Sequence, residues 1–222
     1  MGYEFDFSAV WDAWPILLDG TLKALYYTAV SSALALVLGI IVMVMRRSSV
    51  APVRISAKVF IEVIRNTPFL VQLFFIFFGL PSLGLKFSVS AAAITALTVN
   101  TAAYIAEVLR GGVDGLPHGQ IEAGKALGLN RRQIFFDIVL KPSIRAVYPG
   151  LSAQFVLLML TSSVVASISA PELTYSAQMI ESQSFRSFEV YFVVTGIYLA
   201  LSVCISSLLR LFGRFYFSYP TK

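Results

Sequence analysis

Five long apolar stretches, separated by shorter polar segments, dominate the pattern of this chain. A helix needs about 20 mostly apolar residues to cross the hydrocarbon core of a bilayer, whereas a membrane-spanning β-strand needs only about 9–11. Runs of this length therefore predict transmembrane helices and not the strands of a barrel. The predicted spans cover residues 20–45, 57–80, 88–111, 146–168 and 188–212.

The composition supports a membrane environment. Hydrophobic residues make up 57% of the 222 positions and charged residues only 13%, whereas soluble domains carry about 25% charged residues. Within lipid, only helices and closed barrels can satisfy every backbone polar group. We therefore predict an all-α membrane protein in which residues 1–222 form one transmembrane domain with about five membrane-crossing helices.

The basic residues lie mostly on one side of the predicted spans. Only Lys23, Lys86 and Arg186 fall on the other side, and Arg65 lies within the second span. The thirteen on the first side are Arg46, Arg47, Arg54, Lys58, Arg110, Lys125, Arg131, Arg132, Lys141, Arg145, Arg210, Arg214 and Lys222. Cytoplasmic loops carry an excess of Lys and Arg, so this side is predicted to be cytoplasmic, with the N-terminus outside and the C-terminus inside. The net charge of +5 then reflects topology and does not indicate binding to nucleic acid.

The outer side carries different signals. The first six residues are acidic and lack a basic n-region, so no signal peptide is expected. The longest predicted outer segment, residues 169–187, is polar enough to hold a short helix or a lid.

The inner loop over residues 112–145 is too polar to span a membrane but carries clear helix signals. A helix is predicted over Gln120–Leu127, with Gly128 in the left-handed conformation that ends many helices. Asn130 is a suitable cap for a second helix over Arg131–Leu140, and Pro142 is predicted to stop it. Such helices either connect two spans along the membrane surface or present a rigid knob to a soluble partner. The pattern alone leaves both interpretations open.

One sequence motif in this loop is specific. It resembles the EAA loop of ABC importer permeases, in which Glu-Ala-Ala is followed by three residues, Gly, nine residues and Ile-x-Leu-Pro. The residues that carry the resemblance are Glu122, Ala123, Gly124, Gly128, Ile138, Leu140 and Pro142. Two positions depart from the pattern, because Gly124 replaces an alanine and Lys141 displaces the proline by one place.

Other segments are similar to the polar amino-acid branch of the same permeases, and the resemblance extends over residues 18–215. They are Ile61–Pro68, Leu70–Leu73, Asn100–Glu107 and Ser182–Phe188. The resemblance implies a type I permease subunit of the bacterial inner membrane that imports polar amino acids.

The resemblance also implies partners. Such permeases pair with a second permease, identical or related, and receive solute from an extracytoplasmic amino-acid-binding protein. Each EAA loop sits in a cleft of one subunit of an ABC ATPase dimer, which binds ATP and Mg and whose closure turns the pathway outward. The chain has no G-x-x-x-x-G-K-[ST] phosphate loop, so we expect no ATPase activity and no cofactor of its own.

Polar side chains recur on single faces of the predicted spans. Asn100 and Tyr104 are four residues apart, and Gln154 and Thr161 are seven apart. Our hypothesis is that these four, with Gln72, line the translocation path, because an amino acid stripped of water needs hydrogen-bond partners. Such residues also join helices to each other, at about 0.6 kcal/mol per contact. That alternative is equally open for Asn100 and Gln154, and it is favoured for Thr161.

Charged residues near the inner ends of the spans are predicted to form a structural or gating network. They are Glu62, Arg65, Glu107 and Arg110. Glu107 and Arg110 are placed to pair with each other at a spacing of three residues, or with Arg65 or Glu62 across helices. Neither a metal cluster nor a disulfide framework is expected, because the chain has one cysteine and one histidine.

Three other functions remain as alternatives. An ion-driven transporter often shows internal repeats and paired broken helices. Pro68 lies within the second span, but no segment has an obvious second copy. A membrane-embedded enzyme needs a cluster of catalytic groups, and a scaffold does not explain polar faces within spans. Dependence on a co-purifying ATPase distinguishes the importer from the ion-driven transporter.

Overall fold

The computed structural model describes residues 3–115, 118–134, 138 and 141–216. No β-strand occurs in these ranges, which confirms the predicted all-α class. The helices are α1 (Ser8–Asp12), α2 (Trp14–Arg46), α3 (Ala51–Arg65), α4 (Phe69–Phe74), α5 (Leu80–Ser82), α6 (Val89–Asp114), α7 (His118–Ala126), α8 (Arg131–Gln133), α9 (Lys141–Thr161), α10 (Leu173–Ser184) and α11 (Ser187–Tyr216), with a π-helical segment at Phe75–Gly79 and a 3-10 segment at Ser162–Ile168.

Four helical segments are long and apolar enough to cross a membrane by length and composition: Trp14–Arg46, Val89–Asp114, Pro142–Ile168 and Ser187–Tyr216. A fifth crossing is available if the bent pair Ala51–Arg65 and Phe69–Ser82 counts as one span. The number of about five is therefore confirmed. Helix α2 begins six residues before the predicted start at Gly20 and has 33 residues.

The second predicted span is not one straight helix. Helix α3 ends at Arg65, and the chain turns by 110° before it continues from Phe69 to Ser82. Pro68 explains the break, since its ring has no N–H to donate and forces the preceding residue out of the helical conformation. The span predicted over 57–80 is therefore broken at Pro68, the proline that the sequence places within it. We call residues 66–68 the bend.

Pro142 does not stop a helix, as the sequence pattern suggested. It is the second residue of α9, in the first helical turn, where its missing N–H has no helical partner in any case. The fourth span therefore begins before the predicted residue 146. At its other end, the helix tightens into the 3-10 segment, which Ser169 ends with a φ of +58°.

Helix α6 is the centre of the fold and packs between α2 and α9. Small residues allow these close approaches, as is usual between membrane helices. An added Cβ at Gly39 of α2 would lie 2.6 Å from Cγ2 of Ile105, and one at Gly112 would overlap Val147 of α9. The buried residues of α6 are Ala92, Ala93, Ala96, Leu97, Thr98, Thr101, Ala102, Ala103, Ile105 and Ala106. This packing fixes the rotation of α6 and hence the direction of its polar face.

Candidate functional site

A cavity of about 380 Å³ lies between the bend, α6 and α9. It is lined by Thr67, Pro68, Phe69, Asn100, Thr101, Tyr104, Gln154, Leu157, Leu158 and Thr161. The structure thus brings four of the predicted path residues, Asn100, Tyr104, Gln154 and Thr161, to one space. None of the ten lining residues is charged.

Gln72, the fifth predicted path residue, lies behind this lining and not in it. Its side chain is buried, and its amide nitrogen is within hydrogen-bond distance of three oxygens of the preceding turn. These are the Ile64 carbonyl at 2.7 Å, the Thr67 carbonyl at 3.1 Å and the Thr67 hydroxyl at 2.8 Å. The Gln72 oxygen accepts a hydrogen bond from Nδ2 of Asn100 at 2.9 Å. Gln72 therefore stabilises the bend and connects it to α6.

The bend itself contributes residues that the sequence hypothesis missed. Thr67 and Pro68 line the cavity, while side chains of the bend occupy the carbonyls that α3 leaves open at its end. Asn66 donates to the Glu62 carbonyl at 2.7 Å, and Thr67 donates to the Val63 carbonyl at 2.8 Å. The Asn-Thr-Pro run is a recognisable helix-ending signal, and giving it more weight than the apolar run around it would have found the bend.

A second, smaller cavity of about 290 Å³ shares one wall with the first. Its lining residues are Ile61, Glu62, Arg65, Asn66 and Tyr104, so Tyr104 borders both cavities. The guanidinium carbon of Arg65 lies 5.3 Å from the centre of the Tyr104 ring, within the range of a cation–π contact. The other charged residue of this lining, Glu62, forms an ion pair with Lys58, in which Oε1 lies 3.6 Å from Nζ.

The other charged side chains form a chain of ion pairs across α2, α3 and α6. Glu107 accepts two hydrogen bonds from Arg110, at 3.0 and 2.8 Å, and lies 3.7 Å from Arg65. Arg110 also bonds Asp114 at 2.9 Å, and Asp114 pairs with Arg47. Glu107 therefore pairs both with Arg110 and with Arg65, as predicted, whereas Glu62 pairs with Lys58 and not with Arg110. The side chains of Arg65 and Arg110 are 42% and 37% exposed, so solvent screens each pair.

The turn after α7 has the predicted left-handed glycine. Gly128 has a φ of +75°. Its N–H donates to the Lys125 carbonyl at 3.0 Å, and the N–H of Leu129 donates to the Gly124 carbonyl at 3.1 Å. These two bonds form a Schellman motif, which satisfies the last carbonyls of the helix. The direction of the chain after α7 is therefore well determined.

Asn130 caps the helix that follows. Its side-chain oxygen accepts from the N–H groups of Arg132 and Gln133 at 3.0 Å, and Gln133 accepts from the Asn130 N–H in return at 3.0 Å. This reciprocal arrangement is a capping box. Gly124 is buried, and an added Cβ there would lie 2.5 Å from Cδ1 of Ile138. The absence of a side chain at Gly124 thus lets α7 pack closely on the segment with Ile138.

The motif residues differ in exposure. Glu122, Ala123 and Gly128 are exposed on the surface, and Leu127 beside them is 79% exposed. Leu140 lies outside the described residues. The first residues of the motif and its glycine are therefore accessible from outside the chain.

The sequence model of one protein family, described as "Binding-protein-dependent transport system inner membrane component", matches residues 32–217. This chain belongs to that family. As in other family members, the chain is thus an inner-membrane permease with several membrane-spanning helices.

Known relatives of the permease agree with the resemblance. The glutamine transport system permease protein GlnP of Escherichia coli (strain K12) is 35% identical over 95% of this chain and 97% of its own length. The probable glutamine ABC transporter permease protein GlnP of Bacillus subtilis (strain 168) is 36% identical over 86% and 88%. A crystal structure of an amino acid ABC transporter with histidines has a TM-score of 0.89 at 32% identity, covering 96% of this chain and 99% of that one. The predicted resemblance to amino-acid ABC permeases is confirmed.

At the predicted outer end of the permease, two carboxylates are completely buried, a feature that sequence reasoning missed. Glu189 accepts hydrogen bonds from the Tyr3 hydroxyl at 2.5 Å and the Asp6 N–H at 3.0 Å, and lies 3.4 Å from Arg186. These contacts attach the N-terminal segment to the start of α11. No sequence periodicity marks them, because the partners are more than 180 residues apart.

Glu172 is the second buried carboxylate and caps α10. Its side chain accepts from the Tyr175 N–H at 2.8 Å and from the Tyr198 hydroxyl at 2.7 Å. Burial raises the pKa of Glu172 above its usual value. Within the described residues no group of three or more His, Cys, Asp or Glu side chains is placed to hold a metal ion.

Proposed function

We propose that this permease moves a neutral polar amino acid across the inner membrane through the cavity between the bend, α6 and α9. The observation that carries the proposal is the lining, which offers amide and hydroxyl groups but no charged side chain. A solute with a charged side chain would require a compensating charge in such a space, whereas an uncharged polar solute requires only hydrogen bonds. The glutamine permeases among its relatives support this choice.

The hydrogen bonds of the lining favour a path over simple helix contacts. Asn100 does make a helix contact, through its bond to Gln72. Gln154 and the Tyr104 hydroxyl, by contrast, have no hydrogen-bond partner among residues 3–115, 118–134, 138 and 141–216, and both face the cavity. Polar groups of membrane helices are expensive to leave unpaired in lipid. Their position is therefore consistent with a path that water or solute occupies.

The α7–α8 region is proposed as the docking site for a cytoplasmic ABC ATPase dimer, which would bind the ATP and Mg. Its support is the exposure of the motif residues Glu122, Ala123 and Gly128, on a turn that two backbone hydrogen bonds stabilise. Ile138, Leu140 and Pro142 would complete this surface, as in the family motif. A second permease and an extracytoplasmic amino-acid-binding protein would complete the importer.

The charge chain at the inner end is proposed as a gating or structural network. Glu62, Arg65, Glu107 and Arg110 lie next to Tyr104, which borders both cavities. The proposed orientation, with the N-terminus outside and the C-terminus inside, places this network and the α7–α8 region on the same side. A shift of the ATPases could then reach Tyr104 through α6.

The proposal is tested by purifying the tagged chain from its native membranes and measuring ATP hydrolysis with the binding protein and either glutamine, glutamate or arginine. We expect a co-purifying ATPase and the strongest stimulation by the neutral amino acid. Stimulation by arginine or glutamate alone would contradict the neutral path. A pure chain without ATPase, which instead took up solute along an ion gradient, would contradict the importer assignment.

A further inference from the structure

We propose that Gln72 is a positioning residue that orients the amide of Asn100, so that Asn100 presents its oxygen to the cavity as an acceptor for the ammonium group of the solute. This inference rests on the proposed amino-acid path. It states which end of the amino acid lies next to Asn100. Neither the composition of the lining nor the similarity to other permeases gives that orientation.

The orientation of the Gln72 amide follows from its surroundings. Two of the three oxygens around its outer nitrogen are the backbone carbonyls of Ile64 and Thr67, which only accept hydrogen bonds. The third, the Thr67 hydroxyl, already donates its hydrogen to the Val63 carbonyl, so it also acts as an acceptor. Three acceptors require the NH₂ group at this position. The oxygen of the Gln72 amide must therefore face Asn100.

The orientation of Asn100 then follows in turn. Because the Gln72 oxygen only accepts, the atom of Asn100 that lies 2.9 Å from it must be the NH₂ group. The Asn100 oxygen is left without a hydrogen-bond partner in the part of the chain that the structure describes. Asn100 lines the cavity, so this oxygen is the acceptor that the solute meets.

An acceptor at this point selects one group of an amino acid. The ammonium group is a strong donor with no acceptor capacity, whereas the carboxylate only accepts. The carboxylate would face the Asn100 oxygen without a hydrogen between them. The side-chain NH₂ of glutamine could also donate there, but as a neutral group it forms a weaker hydrogen bond than the ammonium group, so the ammonium end is the end that lies at Asn100. A hydrogen bond to a charged group is stronger than one between neutral groups.

The test uses the permease–ATPase complex without its binding protein and measures equilibrium binding of L-glutamine and of glutaramate, which is glutamine without its amino group. Gln72→Met should weaken glutamine binding about tenfold or more and leave glutaramate binding within about twofold. A merely structural role would lower both equally, and that result, or no change in either, would overturn the inference. Gln178→Met, an exposed glutamine on α10, is the matched control.

A second background keeps the test decisive if Gln72→Met fails to assemble with the ATPase. Asn100→Ala should show the same selective loss for glutamine over glutaramate, and an equal loss for both would overturn the inference. Where Gln72→Met does assemble, Asn100→Asp should strengthen glutamine binding more in the Gln72→Met background than in the presence of Gln72, because a carboxylate offers an oxygen in either orientation, and an equal effect in both backgrounds would overturn the inference. If the unmodified complex bound neither ligand, the proposed path itself would be contradicted, and the inference with it.

Discussion

The charged residues at the two ends of the permease differ in their exposure to solvent. At the predicted outer end, Glu172 and Glu189 are completely buried, and tyrosine hydroxyls and backbone N–H groups satisfy them. At the predicted inner end, a chain of arginines and carboxylates from Arg47 to Arg65 is partly exposed. The two outer glutamates are thus shielded from water, whereas water can reach the side chains of the inner chain.

This difference indicates where the helices can move. A buried carboxylate that loses its partners is left without hydrogen bonds, so the outer joints between the N-terminal segment, α10 and α11 resist rearrangement. A half-exposed ion pair loses little when its partner shifts, because solvent screens the charges. The inner ends of α2, α3 and α6 are therefore free to exchange partners, which is what an ATPase-driven change of access requires.

The largest effect is expected from removing a buried carboxylate. Glu172→Ala removes the cap of α10 and one of the two hydrogen-bond partners of the Tyr198 hydroxyl, which keeps only Thr174 at 3.0 Å. We therefore expect a loss of about 2–4 kcal/mol in the free energy of unfolding. Thermal unfolding of the purified complex measures it. A loss below about 1 kcal/mol would contradict the view that the outer end is a fixed joint.

The free energy of unfolding should also depend on pH through Glu172. Because burial raises the pKa of Glu172 above its ordinary 4.5, the protonated form is the one that the fold favours. Its contribution to stability is complete below 4.5 and is lost as the pH rises through the raised value. Glu172→Gln keeps an acceptor for Tyr175 and does not titrate. The variant should therefore gain stability relative to the unmodified protein as the pH rises above 4.5, and an unchanged difference would contradict the assignment.

The turn after α7 should show an intermediate effect on stability and a specific effect on coupling. Gly128→Val forces a branched side chain into the left-handed region, at a cost of about 1–2 kcal/mol, and should abolish solute-stimulated ATP hydrolysis. Gly84, with a φ of +87° and open space around it, is a matched glycine in the turn before α6. Gly84→Val should show similar strain but retain coupling. Equal loss of coupling in both variants would remove the evidence for an ATPase contact at α7–α8.

The smallest effect is expected in the inner charge chain. Arg110→Gln should lower stability by about 1 kcal/mol or less, because Glu107 keeps Arg65, Asp114 keeps Arg47 and solvent screens each pair. The measurement is the same thermal unfolding series. A loss as large as that of Glu172→Ala would show that the two ends do not differ as described.

Local patterns predicted the parts of this structure that depend on neighbouring residues. The apolar runs, the left-handed Gly128, the Asn130 cap and the pairing of Glu107 with Arg110 each follow from spacings of a few residues. These features arise from backbone geometry and side-chain reach, which a sequence shows directly.

Features that depend on tertiary contacts were missed or misplaced. The apolar run across the bend concealed the effect of Pro68, and Pro142 proved to open a helix and not to end one. Gln72 was expected in the lining, but its bonds to the bend hold it behind Asn100. The buried Glu189 depends on residues more than 180 positions away. Such contacts are fixed by packing and leave no periodic signal.

The central claim, that the cavity is the translocation path, is tested most directly by solute uptake into proteoliposomes that contain the complete importer. Asn100→Ala and Gln154→Ala should each lower the uptake rate about tenfold at saturating binding protein, because each removes a partner from the desolvated solute. Gln178→Ala, on the exposed face of α10, should leave it unchanged. If both cavity variants transported at the unmodified rate, Asn100 and Gln154 would be helix contacts and the path would lie elsewhere.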